Sequence, residues 1–140
     1  MSFLTLTLPS VGKERLGAVC ENWDYCVNRF LKWLVQKTIK KGYKCEYVYC
    51  TEIQSKRLEH RGEFAPHIHI VFNGRRKGGS GWAVTPKMVR RSWAGIIKPF
   101  IIGSFSDSAL ENLQGIRKSA ASYLSKYLST EKKLARAPAS

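Results

Sequence analysis

Two short segments hold the side chains best suited to chemistry, Pro66-His67-Ile68-His69-Ile70 and Tyr123-Leu124-Ser125-Lys126-Tyr127. Alternate residues of a strand share a face, so His67 and His69 present neighbouring imidazoles that one cation can bridge. Residues four apart share a helix face, so Tyr123 and Tyr127 present two phenols one turn apart, with Lys126 beside them. A phenol has a pKa of about 10 and is a weak nucleophile at neutral pH. A divalent cation that withdraws charge from a phosphate, with an ammonium close by, makes attack on phosphorus feasible. The products are a phosphotyrosine and a free hydroxyl. The bond energy is kept, so the step can reverse and join strands. This chemistry is the cutting and rejoining of a nucleic-acid phosphodiester.

Neither segment compels that reading alone. An isolated H-x-H is more often a pair of surface histidines, and two tyrosines on a helix are more often core aromatics. Leu124 and Leu128 form the better apolar stripe, however, and leave Tyr123 and Tyr127 on the stripe beside it. His67 and His69 are two of only three histidines in the chain, and their strand is otherwise apolar. Glu52 lies on the preceding strand and faces the pair in one register; a one-residue slip turns it away. Two imidazoles and a carboxylate with open positions suit Mg²⁺ or Mn²⁺ acting on phosphate. Gln54 shares the face of Glu52 and is the alternative ligand, whereas Glu46 is too far along the strand. A zinc site wants more His or Cys. A histidine-triad hydrolase wants a third His where Val71 stands.

The charge balance points to the substrate. Twenty-four Lys and Arg against ten Asp and Glu leave a net charge of +14 over 140 residues. Such a field attracts polyanions. The basic residues expected to meet DNA are Arg75, Arg76 and Lys77 in a glycine-rich loop, and Arg90 and Arg91 on a helix; each also fits a plain solvated face. Trp82 can stack on an unpaired base, worth about 1–3 kcal/mol. A membrane partner is disfavoured, since the chain has neither a basic amphipathic tail nor a long apolar run. No G-x-x-x-x-G-K-[ST] occurs, so a helicase would have to come from another chain. The cysteines at 20, 26, 45 and 50 form no C-x-x-C pair, and Met1-Ser2-Phe3-Leu4 opens no secretory leader. Reduced thiols and a cytoplasmic location follow as the simplest expectation.

These groups need a scaffold. Phe3 to Leu8 alternates as a half-buried strand. From Trp23 to Lys41 the apolar residues recur at helical spacing, and Gly42 ends the run. Lys44–Gln54 and Pro66–Asn73 read as an antiparallel pair joined by a polar turn at Ser55–Ala65. Thr85-Pro86 opens a second helix with Val89, Trp93, Ile96 and Ile97 on its buried side. Phe100–Phe105 reads as a fourth strand, and 118–129 as a third helix. The expected fold is α+β: one antiparallel sheet with a ferredoxin-like, RRM-like β-α-β-β-α-β core, plus a C-terminal helix bearing the tyrosines. Thr5, Thr7, Glu52, His67 and His69 fall on the sheet face away from the first two helices. A single domain over 1–130 and a tail or linker stub over 131–140 are expected.

Several runs together resemble a known superfamily. Glu52-Ile53-Gln54, then Arg61-Gly62-Glu63-Phe64-Ala65-Pro66-His67-Ile68-His69, is similar to the E-x-Q…R-G-(x)-A-P-H-x-H pattern of rolling-circle replication initiators of the HUH endonuclease superfamily. Phe3-Leu4-Thr5-Leu6-Thr7 looks like their first motif. Ala121-Ser122-Tyr123-Leu124-Ser125-Lys126-Tyr127-Leu128 looks like their tyrosine motif in its two-tyrosine form. The motifs stand in the expected order over residues 3 to 128; the insert between Gln54 and Arg61 is longer and more charged than the pattern. The resemblance implies nicking of single-stranded DNA or an origin hairpin, from a plasmid or phage in a bacterial or archaeal host. His67, His69 and Glu52 would hold the metal. Tyr123 would form the 5′-phosphotyrosine, Tyr127 would serve in strand transfer, and Lys126 would steady the phosphate. Two other readings stay open. One is a single-stranded DNA transposase of the single-tyrosine insertion-sequence type. The other is a non-catalytic nucleic-acid-binding module, which needs aromatics such as Tyr47 and Tyr49 on the open sheet face.

Overall fold

A computed structural model of the chain describes residues 2–40, 46–72, 84–115 and 133–136, the last four as backbone only. The elements run β1 (Ser2–Leu6), α1 (Lys13–Glu21), α2 (Trp23–Lys40), β2 (Tyr47–Ile53), α3 (Ser55–Arg61), β3 (Pro66–Phe72), α4 (Pro86–Ile97), β4 (Glu111–Gly115) and β5 (Lys133–Arg136). The strands form one sheet in the order β4-β1-β3-β2-β5. All four pairings are antiparallel. The order of the first four strands is that of the ferredoxin-like core, and the architecture is α+β as expected. β5 falls within the stretch expected as a tail and pairs with β2.

Strand periodicity decides what each face carries. Leu4 and Leu6 of β1 and Ile68, Ile70 and Phe72 of β3 share one face. They join a single core with Leu16 and Val19 of α1, Phe30 and Leu34 of α2, and Val89, Trp93 and Ile97 of α4. α2 keeps its apolar stripe against the sheet and opens with Asp24, which suits the positive end of the helix. Thr38 is buried in that stripe; its hydroxyl donates back to the Leu34 carbonyl at 3.0 Å. α4 starts as its sequence dictates, with Thr85 Oγ1 accepting from the Met88 amide at 3.2 Å and Pro86 in the first turn. Its buried residues recur every fourth position, at Val89, Trp93 and Ile97.

Three local expectations are corrected. Phe100–Phe105 is not a strand. Pro99 lies in a 3₁₀ turn at Lys98–Phe100, and Gly103 adopts φ 81°, which an extended run of side-chain-bearing residues rarely tolerates. Arg15 then clasps the carbonyls of Ile102 and Ser104, both at 2.5 Å. The real fourth strand, Glu111–Gly115, is a polar edge strand with no apolar alternation to reveal it. α1 replaces an expected loop; it buries only Leu16 and Val19 and has Gly17 at its centre, so its pattern is faint.

The third correction is the polar turn, which contains the helix α3. None of its residues is buried, so it has no stripe to read. Its end is set by Gly62, which takes the left-handed conformation at φ 65° and donates to the Leu58 carbonyl at 3.0 Å. A methyl group there would meet nothing within 4 Å, so only the backbone would be strained. Gly62→Ala is therefore expected to lower stability by about 1 kcal/mol. Urea titration checks this, with Gly62→Asn falling between the two because asparagine tolerates that conformation better.

Cys20 and Cys26 carry free thiols, in keeping with the expectation of reduced cysteines. Burial in α2 pushes the Cys26 thiol up to about 11. Burial also raises Cys20, against the lowering influence of Arg57. No helix among the described residues is long and apolar enough to cross a membrane.

Candidate metal centre

The face of the sheet opposite the helices carries Phe3 and Thr5 of β1, Cys50 and Glu52 of β2, and His67, His69 and Val71 of β3. The register fixes their neighbours: Thr5 and Cys50 flank His69 on either side, and Glu52 lies directly across from His67. The slip that would have turned Glu52 away does not occur. Phe3, Cys50, Val71 and His69 are all buried, although none belongs to the helix-side core cluster. The histidine pair thus sits in a covered apolar layer, a setting that strengthens electrostatic interactions.

Three ligand atoms converge there. His67 Nε2 is 3.0 Å from Glu52 Oε1, and His69 Nε2 is 3.1 Å from His67 Nε2. The ligand atoms of all three residues lie within 4.8 Å of one another. The exposure is graded: the side chains of Glu52 and His67 are 25% and 15% exposed, and His69 as a residue is 4% exposed. A substrate oxygen or water therefore reaches the group from the Glu52–His67 side. Two neutral imidazoles and a carboxylate, brought within reach of one point, form the donor set of a divalent cation with open positions. Mg²⁺ or Mn²⁺ fits these donors, and the residues present therefore suit such an ion.

Sequence reasoning assigned no role to the residues that set this geometry. His69 Nδ1 and Thr5 Oγ1 are 3.0 Å apart, and the Phe3 ring stacks on the His69 ring with centroids 5.5 Å apart and an interplanar angle of 13°. Arg57 secures the approach to β3. It donates to Glu63 Oε2 from Nε at 3.1 Å and from a terminal nitrogen at 2.6 Å, and also to the Leu8 and Pro9 carbonyls at 2.8 and 3.0 Å. One guanidinium thereby ties α3, the stretch that enters β3 and the end of β1 together. Cys20 of α1 adds a further tie, donating to the Phe64 carbonyl at 3.1 Å. The signal for Arg57 and Glu63 was a helix-terminating glycine between two opposite charges, legible only once α3 is known.

Other expected site residues are placed differently. Arg90 and Arg91 belong to α4, in the layer on the other side of the sheet from the triad. Arg90 pairs with Glu111 of β4 at 3.6 Å, while Arg91 is exposed. Gln54, the alternative ligand, stands at the junction of β2 and α3 with its Nε2 buried. Tyr47 and Tyr49 face the helices: they pair with Phe72 and Ile70 and pack against the core. The stacking platform required by a non-catalytic RRM-like reading is thus turned inward at these two positions. Tyr123, Lys126 and Tyr127, and the loop residues Arg75, Arg76, Lys77 and Trp82, lie outside the described residues.

Comparison with known proteins agrees with the order of the motifs. A family model described as a replication-associated protein of the ORF2 type matches residues 1–132. No curated protein and no solved structure gives a significant match. That family match spans nearly the whole chain, from the strand carrying Thr5 past both histidines and both tyrosines, and the chain belongs to this family of replication-associated proteins.

Proposed function

We propose that this chain is a metal-dependent single-stranded DNA nickase and strand transferase of the two-tyrosine HUH type, acting to initiate rolling-circle replication of a plasmid or phage. The convergence of Glu52, His67 and His69 on one point of the sheet, in a replication-associated chain, carries this reading. A replication protein needs a 3′-hydroxyl to prime synthesis, and a tyrosine nickase supplies one.

The chain's residues divide the work. Glu52, His67 and His69 hold Mg²⁺ or Mn²⁺, which polarises the scissile phosphate and offsets charge building on its oxygens. The open side of the triad, at Glu52 and His67, admits the phosphate. Tyr123 Oη attacks phosphorus and loses its proton. A P–Oη bond forms, the P–O3′ bond breaks, and the leaving oxygen takes a proton to become the 3′-hydroxyl. The 5′-phosphate stays on Tyr123. Lys126, three residues on, offers an ammonium to the phosphate or stabilises the phenolate. Tyr127, one turn further, accepts a second strand for transfer and closure. The net charge of +14 draws the strand in, with Arg75, Arg76, Lys77 and Arg91 meeting phosphates and Trp82 stacking on an unpaired base.

The test uses short labelled single-stranded oligonucleotides containing hairpins. With Mn²⁺ the protein is expected to form a covalent protein–DNA species, and EDTA abolishes it. Peptide mass spectrometry is expected to place the 5′-phosphate on Tyr123. Binding with no covalent species under any divalent cation refutes the nickase; an adduct on Tyr127 alone reverses the order of the nucleophiles.

A further inference from the structure

We propose that Thr5 is a positioning residue for the metal centre: its hydroxyl oxygen accepts the Nδ1–H of His69 and so leaves the Nε2 lone pair facing His67 and Glu52. The argument is one of proton accounting. A neutral imidazole has one N–H and one lone pair, and whichever partner holds one nitrogen fixes the state of the other. His69 Nε2 points into the converging group, 3.1 Å from His67 Nε2. Its Nδ1 points the other way, 3.0 Å from Thr5 Oγ1. If Thr5 donates, the ring proton sits on Nε2 and blocks it as a ligand. If Thr5 accepts, Nε2 is ready to bind.

The placement is built into the fold. Thr5 and His69 are directly paired across β1 and β3, so no flexible segment separates them. Phe3, two residues earlier on the same face, stacks on the same ring and resists its rotation. His69 is 4% exposed, which leaves little water to compete for Nδ1. Phe3 and Thr5 are the two residues that β1 contributes beside this ring, so the Phe-Leu-Thr run of β1 acts as a clamp on one ligand. Metal-binding histidines commonly need a partner of this kind, and losing it typically weakens binding 10- to 100-fold.

This inference rests on the metal-centre reading, and the experiment separates the two. The first measurement needs no variant or metal: ¹⁵N–¹H correlation of the imidazoles in the metal-free protein is expected to show His69 as the Nδ1–H tautomer. Finding the Nε2–H tautomer overturns the proposal. The second is Mn²⁺ titration by calorimetry of wild type, Thr5→Val and Thr5→Ser, with thermal melts to verify folding. Valine keeps the β-branched shape and removes the acceptor. Thr5→Val is expected to bind Mn²⁺ about 10-fold or more weakly and to lose the tautomer bias, while Thr5→Ser stays close to wild type in both. Equal Mn²⁺ affinity in wild type and Thr5→Val overturns the role of Thr5 alone. A wild-type protein that binds no Mn²⁺ overturns the metal centre, and the role of Thr5 with it.

Discussion

Alanine at both His67 and His69 is expected to slow nicking of single-stranded DNA by about a thousandfold or more, while leaving DNA binding within a few-fold of wild type. Two of three converging ligand atoms disappear, and Glu52 alone cannot hold Mg²⁺ or Mn²⁺ against water. A cation that polarises phosphate supplies several kcal/mol of transition-state stabilisation, and about 4 kcal/mol corresponds to a thousandfold in rate. DNA affinity comes instead from the basic surface, whose residues lie apart from the triad. Single-turnover rates with saturating protein and Mn²⁺ measure the first effect; filter binding in EDTA measures the second. His67→Ala alone is expected to approach the double variant, since His67 is the member within 3.1 Å of both others. A folded double variant that nicks at the wild-type rate refutes the metal centre. The same binding measurement repeated above about 0.2 M salt should show weaker binding in wild type and variant alike, because both rely on phosphate contacts.

The parts of this molecule legible in the sequence are those where one physical signal stands alone. α2 and α4 announce themselves because each places a continuous apolar stripe on one side. α4 adds a capping threonine and a proline where the first turn needs them. β3 alternates, and its polar positions are both histidines. α3 and β4 are silent for the opposite reason: one buries nothing, the other is a polar edge held by β1. Phe100 to Phe105 shows how composition misleads. Its aromatic and β-branched residues suit a strand, but Pro99 and Gly103 bend the chain and Ile101 is buried in the helix-side core.

The candidate site was legible to the same degree. The face shared by His67, His69 and Glu52 follows from period two and from the pairing of β2 with β3. What period two cannot give is the register, and the register brings Glu52 to His67. Nor can it give partners distant in sequence. Thr5 meets His69 across 64 positions, and Arg57 reaches Leu8 across 49. Such contacts follow from strand order, a property of the whole sheet. The motif resemblance pointed to the first strand without saying what it does; the structure places Phe3 and Thr5 against one ring.

Trp93→Ala is expected to cost about 3–5 kcal/mol, the largest single loss available to a point change in the helix layer. Trp93 is fully buried and meets Trp23 and Phe30 edge-on, with centroids 5.6 and 6.0 Å away. Its removal leaves a cavity where α2, α4 and the sheet meet. It also strands a partner: Trp93 Nε1 donates to the Thr7 carbonyl at 2.8 Å, just past the end of β1. Trp93→Phe separates the two contributions. It keeps most of the volume and loses the hydrogen bond, so it should cost about 1–2 kcal/mol. A domain of this kind has about 5–15 kcal/mol in total, so the alanine variant sits near the threshold of folding at about 37 °C. Urea unfolding followed by circular dichroism measures both. The consequence reaches the metal face, because β1 carries Phe3 and Thr5 on one side and is pinned by Trp93 from the other. Loosening that strand should weaken Mn²⁺ binding in Trp93→Phe even where the protein remains folded. A Trp93→Ala protein within about 1 kcal/mol of wild type would mean that α4 is not anchored to β1 in this way.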